Sequence, residues 1–437
     1  MRSSAKSVSI PKSRLARSAA LGGTATRIFG NAAVNSVSQW ARGERPNFQS
    51  LLVTPANMQR LTAQLARMRG AAMKLGQLMS MDAGDMLPAE ITEIMTRLRA
   101  DADFMPPKQL KTVLNAEWGD GWLQKFAEFN VRPVAAASIG QVHRARTKDG
   151  RDLALKVQYP GVRKSIDSDV TNVGSLIRVS GLFPAAFDLD PLLEQAKSQL
   201  RDEADYAREA SHLQRYSERL KGDERFIVPT FEPEFSTDSI LAMSYIPGVA
   251  IERAEAFDQA GRDQLMATLL DLTLREVFDW QHMQTDPNFA NYRLREEAGR
   301  IILLDFGAAV DIPDWISVGF RDLLTAAMNN DQDGIRAHSL ALGFWSEDAP
   351  QRDSEMILDM ISYSCGQLTS DRLFDFSDTG PAQVMREKAE IMSRDMTHVH
   401  VPPVETLLVQ RKLAGMYLLA RKFGARVNLH EIINRYL

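Results

Sequence analysis

The 437-residue chain is 44% hydrophobic and 25% charged, which excludes a disordered or fibrous protein and allows two or three packed units. Its 52 basic against 56 acidic residues leave a net charge of -4, with no general pull toward nucleic acid. The single cysteine, Cys365, rules out an internal disulfide and favours a reducing compartment. No window approaches the roughly 18 uninterrupted apolar residues of a membrane span.

Seven basic residues from Arg2 to Arg42 precede the first acid, Glu44, among Ser and Ala. Without a secretory apolar core, residues 1–53 read equally as an organelle transit peptide, an arm for anionic lipid or a solvated tail. From Thr54-Pro55, an N-cap followed by the residue best tolerated in a first turn, the spacing predicts helix to about Arg99. Leu61, Leu65, Met68, Ala72, Leu75 and Met79 form its apolar stripe. Lys74 and Gln77 lie on a neighbouring face, with Gly76 between them admitting another backbone, and Pro88 restarts the helix. Asp101 to Pro107 is a break before an amphipathic piece around Leu110–Phe126.

Small residues Pro133 to Val142 lead into a hairpin that turns at Asp149-Gly150. In its second strand Leu153, Leu155 and Val157 share one face, leaving Ala154 and Lys156 on the other. A mid-strand lysine is costly to bury alone, so an acid is expected beside it. The spacing predicts one long helix from Asp190-Pro191 to Gly222, with Asp205 and Glu209 four apart on one face and Glu203 aimed elsewhere. Ile227-Val228-Pro229 and Ser239–Ile246 read as further strands of a small sheet. Pro247-Gly248 follows as a hinge, with backbone at Ser244, Tyr245 and Ile246 free for an adenine edge beside Met243.

Helix resumes from Arg262 and leads into Gln281–Ala308, the stretch on which the functional reading rests. Asp286 precedes Asn291 by five residues, and the apolar strand Ile301–Leu304 ends in Asp305-Phe306-Gly307. An acid to orient a nucleophile, an amide oxygen for a metal and a second acid for metal on phosphates are what phosphoryl transfer needs. Beyond Asp311 helices run to the end, broken at Pro350, Pro381 and Pro402-Pro403, with Cys365 as a buried helical residue.

These residues resemble the UbiB family of atypical kinase-like proteins, also called ADCK or AarF-domain kinases. The resemblance rests on Lys74-Leu75-Gly76-Gln77 (KxGQ), Ala135-Ala136-Ala137-Ser138 (the alanine-rich loop), Lys156, Glu203-Ala204-Asp205 (ExD) with Glu209, Gln284-Thr285-Asp286-Pro287-Asn288 with Asn291, and Asp305-Phe306-Gly307. It implies an α+β, protein-kinase-like two-lobed fold, a small antiparallel sheet lobe plus a helical lobe, with an N-terminal KxGQ extension lying over the active site. The expected divisions are 1–53 arm, 54–126 KxGQ extension, 127–247 N-lobe and 248–437 C-lobe.

The implied cofactors are ATP or ADP and Mg2+. The implied roles are Asp286 for the nucleophile, Asn291 and Asp305 for metal, Lys156 for the α/β-phosphates with Glu209 fixing it, and Ala135, Ala136, Ala137 and Ser138 over the nucleotide. Met243 to Ile246 would meet adenine, and Lys74, Gln77, Glu203 and Asp205 would gate the site. The implied function is atypical kinase or ATPase activity in ubiquinone biosynthesis. Its partners would be an adenine nucleotide, a quinone precursor or other isoprenoid lipid, a membrane met peripherally and a biosynthetic complex, in the cytoplasm or the mitochondrial matrix. A nucleotide- and lipid-binding scaffold would not need every metal and phosphate group. A small-molecule kinase of the aminoglycoside or choline type leaves the KxGQ helices and alanine loop without a role. Gln284-Thr285-Asp286 stands where protein kinases have His-Arg-Asp, so no arginine reads an activation-loop phosphate.

Overall fold

The structure, a computed structural model, describes residues 65, 68–82, 104–180, 189–295, 299–395 and 400–437. The basic arm, the Thr54-Pro55 cap, Leu61 and the restart at Pro88 lie outside the described residues, as do the side chains of Gln77 and Met79. Two compact units divide the chain, one of residues 1–214 with 230–245, the other of 215–229 with 246–437. Residues 215–229, expected in the N-lobe, therefore go with the second unit, and the described part of 54–126 goes with the first.

In the first unit α1 (Arg69–Asp82) buries Ala71, Ala72, Leu75 and Lys74, with Leu65 and Met68 buried just before it. After α2 (Pro107–Trp118) come β1 (Phe126–Phe129), β2 (Ala135–Ala136), β3 (Gly140–Thr147) and β4 (Asp152–Gln158). The β3–β4 turn uses Gly150 at φ 92, a conformation that favours glycine. On β4, Leu153, Leu155 and Val157 are buried while Ala154 and Lys156 are half-buried on the opposite face, the alternation a one-sided sheet imposes. Beneath the buried face Trp118, Trp122, Phe126 and Phe235 pack together, with Phe126 and Phe235 centroids 5.3 Å apart.

Helix α3 (Val162–Ser180) follows. The long helix expected from Asp190 is two helices, α4 (Asp190–Glu203) and α5 (Tyr206–Arg219), broken at Ala204-Asp205. The cause is local, since Asp205 Oδ1 accepts from the Arg208 amide at 3.0 Å and so caps a new N-terminus. Strand β5 (Phe226–Ile227) pairs in parallel with a strand of the second unit, which corrects its expected place in the small sheet. Its two residues carry too little alternation to name a partner. Strand β6 (Ile240–Ser244) joins β4, giving the order β1-β3-β4-β6 with β2 on β3, antiparallel throughout.

The second unit continues with β7 (Val249–Ala250) and α6 (Gln259–Leu274), capped by Asp258 on the Gly261 amide. A π-turn over Arg275–Asp279 then leads to β8 (His282–Gln284), β9 (Tyr292–Arg295), β10 (Arg300–Leu303) and β11 (Ala309–Asp311). One sheet runs β5-β10-β9-β7, and β8 pairs β11 separately. Helices α7 (Asp314–Met328), α8 (Gln332–Ala341) and α9 (Gln351–Leu368) come next, followed by β12 (Leu373–Asp375), α10 (Gly380–Asp395), α11 (Val404–Phe423), β13 (Arg426–Asn428) and α12 (Leu429–Ile433). The tail expected as wholly helical thus carries the β12–β13 pair, and Pro381 sits in the first turn of α10. Cys365 is buried on α9, and that burial pushes its thiol to about 11.

Candidate functional site

In the first unit Lys156 sits mid-strand between Val142 and Leu241. Its Nζ lies 2.9 Å from both carboxylate oxygens of Glu209 on α5 and 5.5 Å from the centre of the Tyr206 ring. The Glu209 side chain is 1% exposed and that of Lys156 12%, so the pair is largely withdrawn from solvent. An ion pair this buried tolerates loss of either partner poorly.

Glu203 ends α4 and has partners other than those of Glu209: Oε1 takes Lys74 Nζ at 2.6 Å, and Oε2 takes the Ser138 hydroxyl. Ala135 and Ala136 are exposed strand residues paired with Val142 and Gln141, and the Ala137 amide closes the turn on the Gly140 carbonyl. Helix α1 presses on this turn at Gly70, where an added Cβ would stand 2.7 Å from the Ser138 carbonyl oxygen. Asp205 is occupied as a helix cap.

The backbone expected to be free at the end of β6 is partly engaged, which corrects that expectation for two amides. Ser244 donates to the Thr230 carbonyl at 2.9 Å and Tyr245 to the Asp152 carbonyl at 2.7 Å. Met243 is paired opposite Ala154 and its side chain is buried. Ile246 is the first residue of the second unit's next segment.

In the second unit the β9–β10 register sets Leu303 opposite Tyr292 and continues through the Leu304 amide to the Asn291 carbonyl at 3.1 Å. Asp305 follows directly, so hairpin pairing carries the amide and this acid to the same end. Asn291 Nδ2 donates to Asp286 Oδ2 at 3.0 Å, which leaves the amide Oδ1 as the atom suited to a cation. Asp286 Oδ1 accepts from the Asn288 amide at 3.3 Å, and Asp305 Oδ1 from Gly307 at 3.0 Å. Thr285 clamps the loop by bonding the Ala308 carbonyl through both amide and hydroxyl. Phe306 is buried against Tyr216, ring centres 4.9 Å apart. Asn291 Oδ1 and the Asp305 carboxylate are oxygen donors, the kind that suits a hard divalent cation better than zinc.

Sequence reasoning missed what supports this loop. Lys412 on α11 is 1% exposed, and its Nζ lies 2.8 Å from the Gln284 carbonyl, 3.0 Å from the Tyr292 hydroxyl and 3.2 Å from Glu276. The Tyr216 hydroxyl donates to Glu276 at 2.6 Å and accepts from the Gln284 amide at 2.8 Å. Burial pushes the Glu276 carboxyl up; it opposes the Lys412 charge too, but Glu276 and Tyr292 outweigh it and the ammonium is held. One turn on, Gly415 backs onto Pro287, whose Cβ would stand 2.1 Å from an added one. The available signal was a lysine in the apolar stripe Val409, Lys412, Met416, Leu419.

A model of the ABC1 atypical kinase-like domain matches residues 97–339. The chain is 36% identical to the Saccharomyces cerevisiae protein named "Atypical kinase COQ8, mitochondrial", over 98% of this chain and 85% of that protein. It is 34% identical to "Atypical kinase COQ8B, mitochondrial" of Danio rerio, over 98% and 69%. Among solved structures, the Rv3197–erythromycin complex from Mycobacterium tuberculosis shares the fold, with TM-score 0.59 and 22% identity over 87% of this chain and 95% of that one. The α+β kinase-like architecture, the KxGQ-to-DFG motif series and these matches agree, and the chain belongs to the ABC1 atypical kinase-like family, the UbiB (ADCK, AarF-domain) proteins.

Proposed function

We propose that this protein binds ATP or ADP with Mg2+ and acts as an atypical kinase or ATPase in support of ubiquinone biosynthesis. The observation that carries the reading is the Lys156–Glu209 pair, a mid-strand ammonium fixed by both oxygens of a buried carboxylate. That is the arrangement that positions α/β-phosphates in kinases. In the second unit Asn291 and Asp305 would hold magnesium, which neutralises charge developing on the phosphates. Among the described residues no group of three or more His, Cys, Asp or Glu gathers to hold a metal, so phosphate oxygens and water would complete its shell.

Asp286 would orient the attacking hydroxyl or water, with Asn291 Nδ2 keeping it aimed. Ala135 to Ser138 would cover the nucleotide and Met243 to Ile246 would meet its base. Lys74, Gln77, Glu203 and Asp205 would govern entry, since Lys74 and Ser138 already share the Glu203 carboxylate. The named relatives are mitochondrial, and a matrix compartment with peripheral membrane contact fits them. No helix among the described residues is long and apolar enough to cross a membrane. Partners of this reading are a quinone precursor or other isoprenoid lipid and a biosynthetic complex.

The test is ATP turnover by the purified protein beside Asp305→Asn. Magnesium-dependent turnover that Asp305→Asn abolishes is expected; equal turnover in the two ends the enzymatic reading.

A further inference from the structure

The helices of the second unit line an open-sided cavity of about 1080 Å³ whose walls are almost wholly apolar. Protein interiors carry few voids larger than a water molecule, whereas ligand pockets run to roughly 300–1,000 Å³. The space is thus the size of a binding site rather than of a packing flaw. Water is a poor filling, because apolar walls offer it too few hydrogen-bond partners.

Two further observations mark the cavity as a site. None of the described side chains of α10 is buried, although Ala382, Met385 and Met392 on that helix face the cavity. A helix whose apolar face meets empty space lacks the burial that normally holds it down. Second, the cavity is open-sided, and Leu413 and Leu418 of α11 on its wall are 38% and 56% exposed.

We propose that this cavity binds the hydrocarbon chain of a single-chain lipid, acyl or prenyl, admitted past Leu413 and Leu418. The walls supply few polar groups to orient a compact polar ligand, and their methionines, Met360, Met385 and Met392, adapt to a flexible chain as stiffer side chains do not. The inference gives the lipid partner of the proposed function a place on this chain and rests on that reading for its prenyl arm, while probe binding without nucleotide tests it apart from ATP turnover.

The experiment titrates the full chain, without nucleotide, with cis-parinaric acid and follows its fluorescence. Saturation at one probe per chain is expected, with displacement by oleate if the site prefers acyl chains and by farnesol if it prefers prenyl ones. Ser364→Phe and Ala414→Trp, each adding bulk at a lining position, should weaken probe binding at least about tenfold while the melting temperature holds or rises. A readout without substitution uses Cys365, the one cysteine in the sequence and a residue of the cavity wall. Saturating oleate or farnesol should slow its reaction with DTNB at alkaline pH. Absence of saturable binding, displacement by neither competitor, or unchanged affinity in both folded variants with no protection of Cys365 overturns the proposal.

Discussion

Lys74 Nζ lies 2.6 Å from Glu203 Oε1, and the second oxygen of that carboxylate takes the hydroxyl of Ser138. One acid therefore ties the KxGQ helix to the alanine-rich turn. The Lys74 side chain is buried, so this pair is worth more than an exposed one. Lys74→Ala should lower stability by about 1–3 kcal/mol, the cost of stranding a half-buried acceptor. It should also speed amide exchange over residues 135–140. Exchange in that segment at the parent rate would sever the helix from the turn.

Lys156 and Glu209 make a second prediction, in which stability and activity part company. Lys156→Met strands a carboxylate that is 1% exposed and should cost about 3–5 kcal/mol. Adding Glu209→Gln removes the stranded charge and should recover much of that loss, read as a denaturant midpoint. ATP turnover should stay down by about 100-fold in both, because the phosphate contact is missing in each. Recovery of turnover in the double variant would remove Lys156 from the chemistry.

Features that depend on neighbours in sequence were readable from it, and those that depend on distant partners were not. The alternation on β4, the turn at Gly150 and the apolar run ending at Asp305 are set by local period and turn chemistry. The break between α4 and α5 escaped because Ala204 is a good helix former and the decision rests on the Asp205 side chain bonding forward. The pairing of Phe226-Ile227 with Ile301-Ile302 escaped because a two-residue strand has no readable register. Lys412 and Glu276 lie far apart in sequence, so only the fold makes them partners.

Gly415 yields a prediction about the loop that bears Asp286. A Cβ there would sit 2.1 Å from Pro287 Cβ and 3.3 Å from its Cα, so either α11 or the loop must move. A displacement of about 1 Å can cost on the order of 100-fold in rate. Gly415→Ala should therefore lower kcat about 10- to 100-fold and leave nucleotide affinity, measured by calorimetry, close to that of the parent. Gly366→Ala is the control, since its Cβ meets nothing within 4 Å in the last turn of α9, and it should change stability by no more than about 1 kcal/mol. Equal kcat in the two variants would show that the loop tolerates the shift.

His282 predicts how the second unit responds to acid. The imidazole is fully buried on β8, with Nδ1 2.9 Å from Asp311 Oδ1. Burial, reinforced by the Arg215 and Arg219 guanidinium groups, outweighs the Asp311 carboxylate and lowers its pKa to about 4. The native state therefore keeps His282 neutral between about 6.5 and 4, where the unfolded chain takes up the proton. Since the unfolded state binds more protons in that window, stability is full above 6.5 and falls as pH drops toward 4, by up to about 3 kcal/mol. Glu276, pushed up by burial, tilts the profile the other way, so the comparison must be made against a variant. His282→Gln removes the titrating group, and the melting temperature of the parent should fall more steeply than that of the variant between pH 6.5 and 4.5. Parallel profiles would mean that the imidazole is already protonated in the folded protein, with Asp311 rather than burial governing its charge.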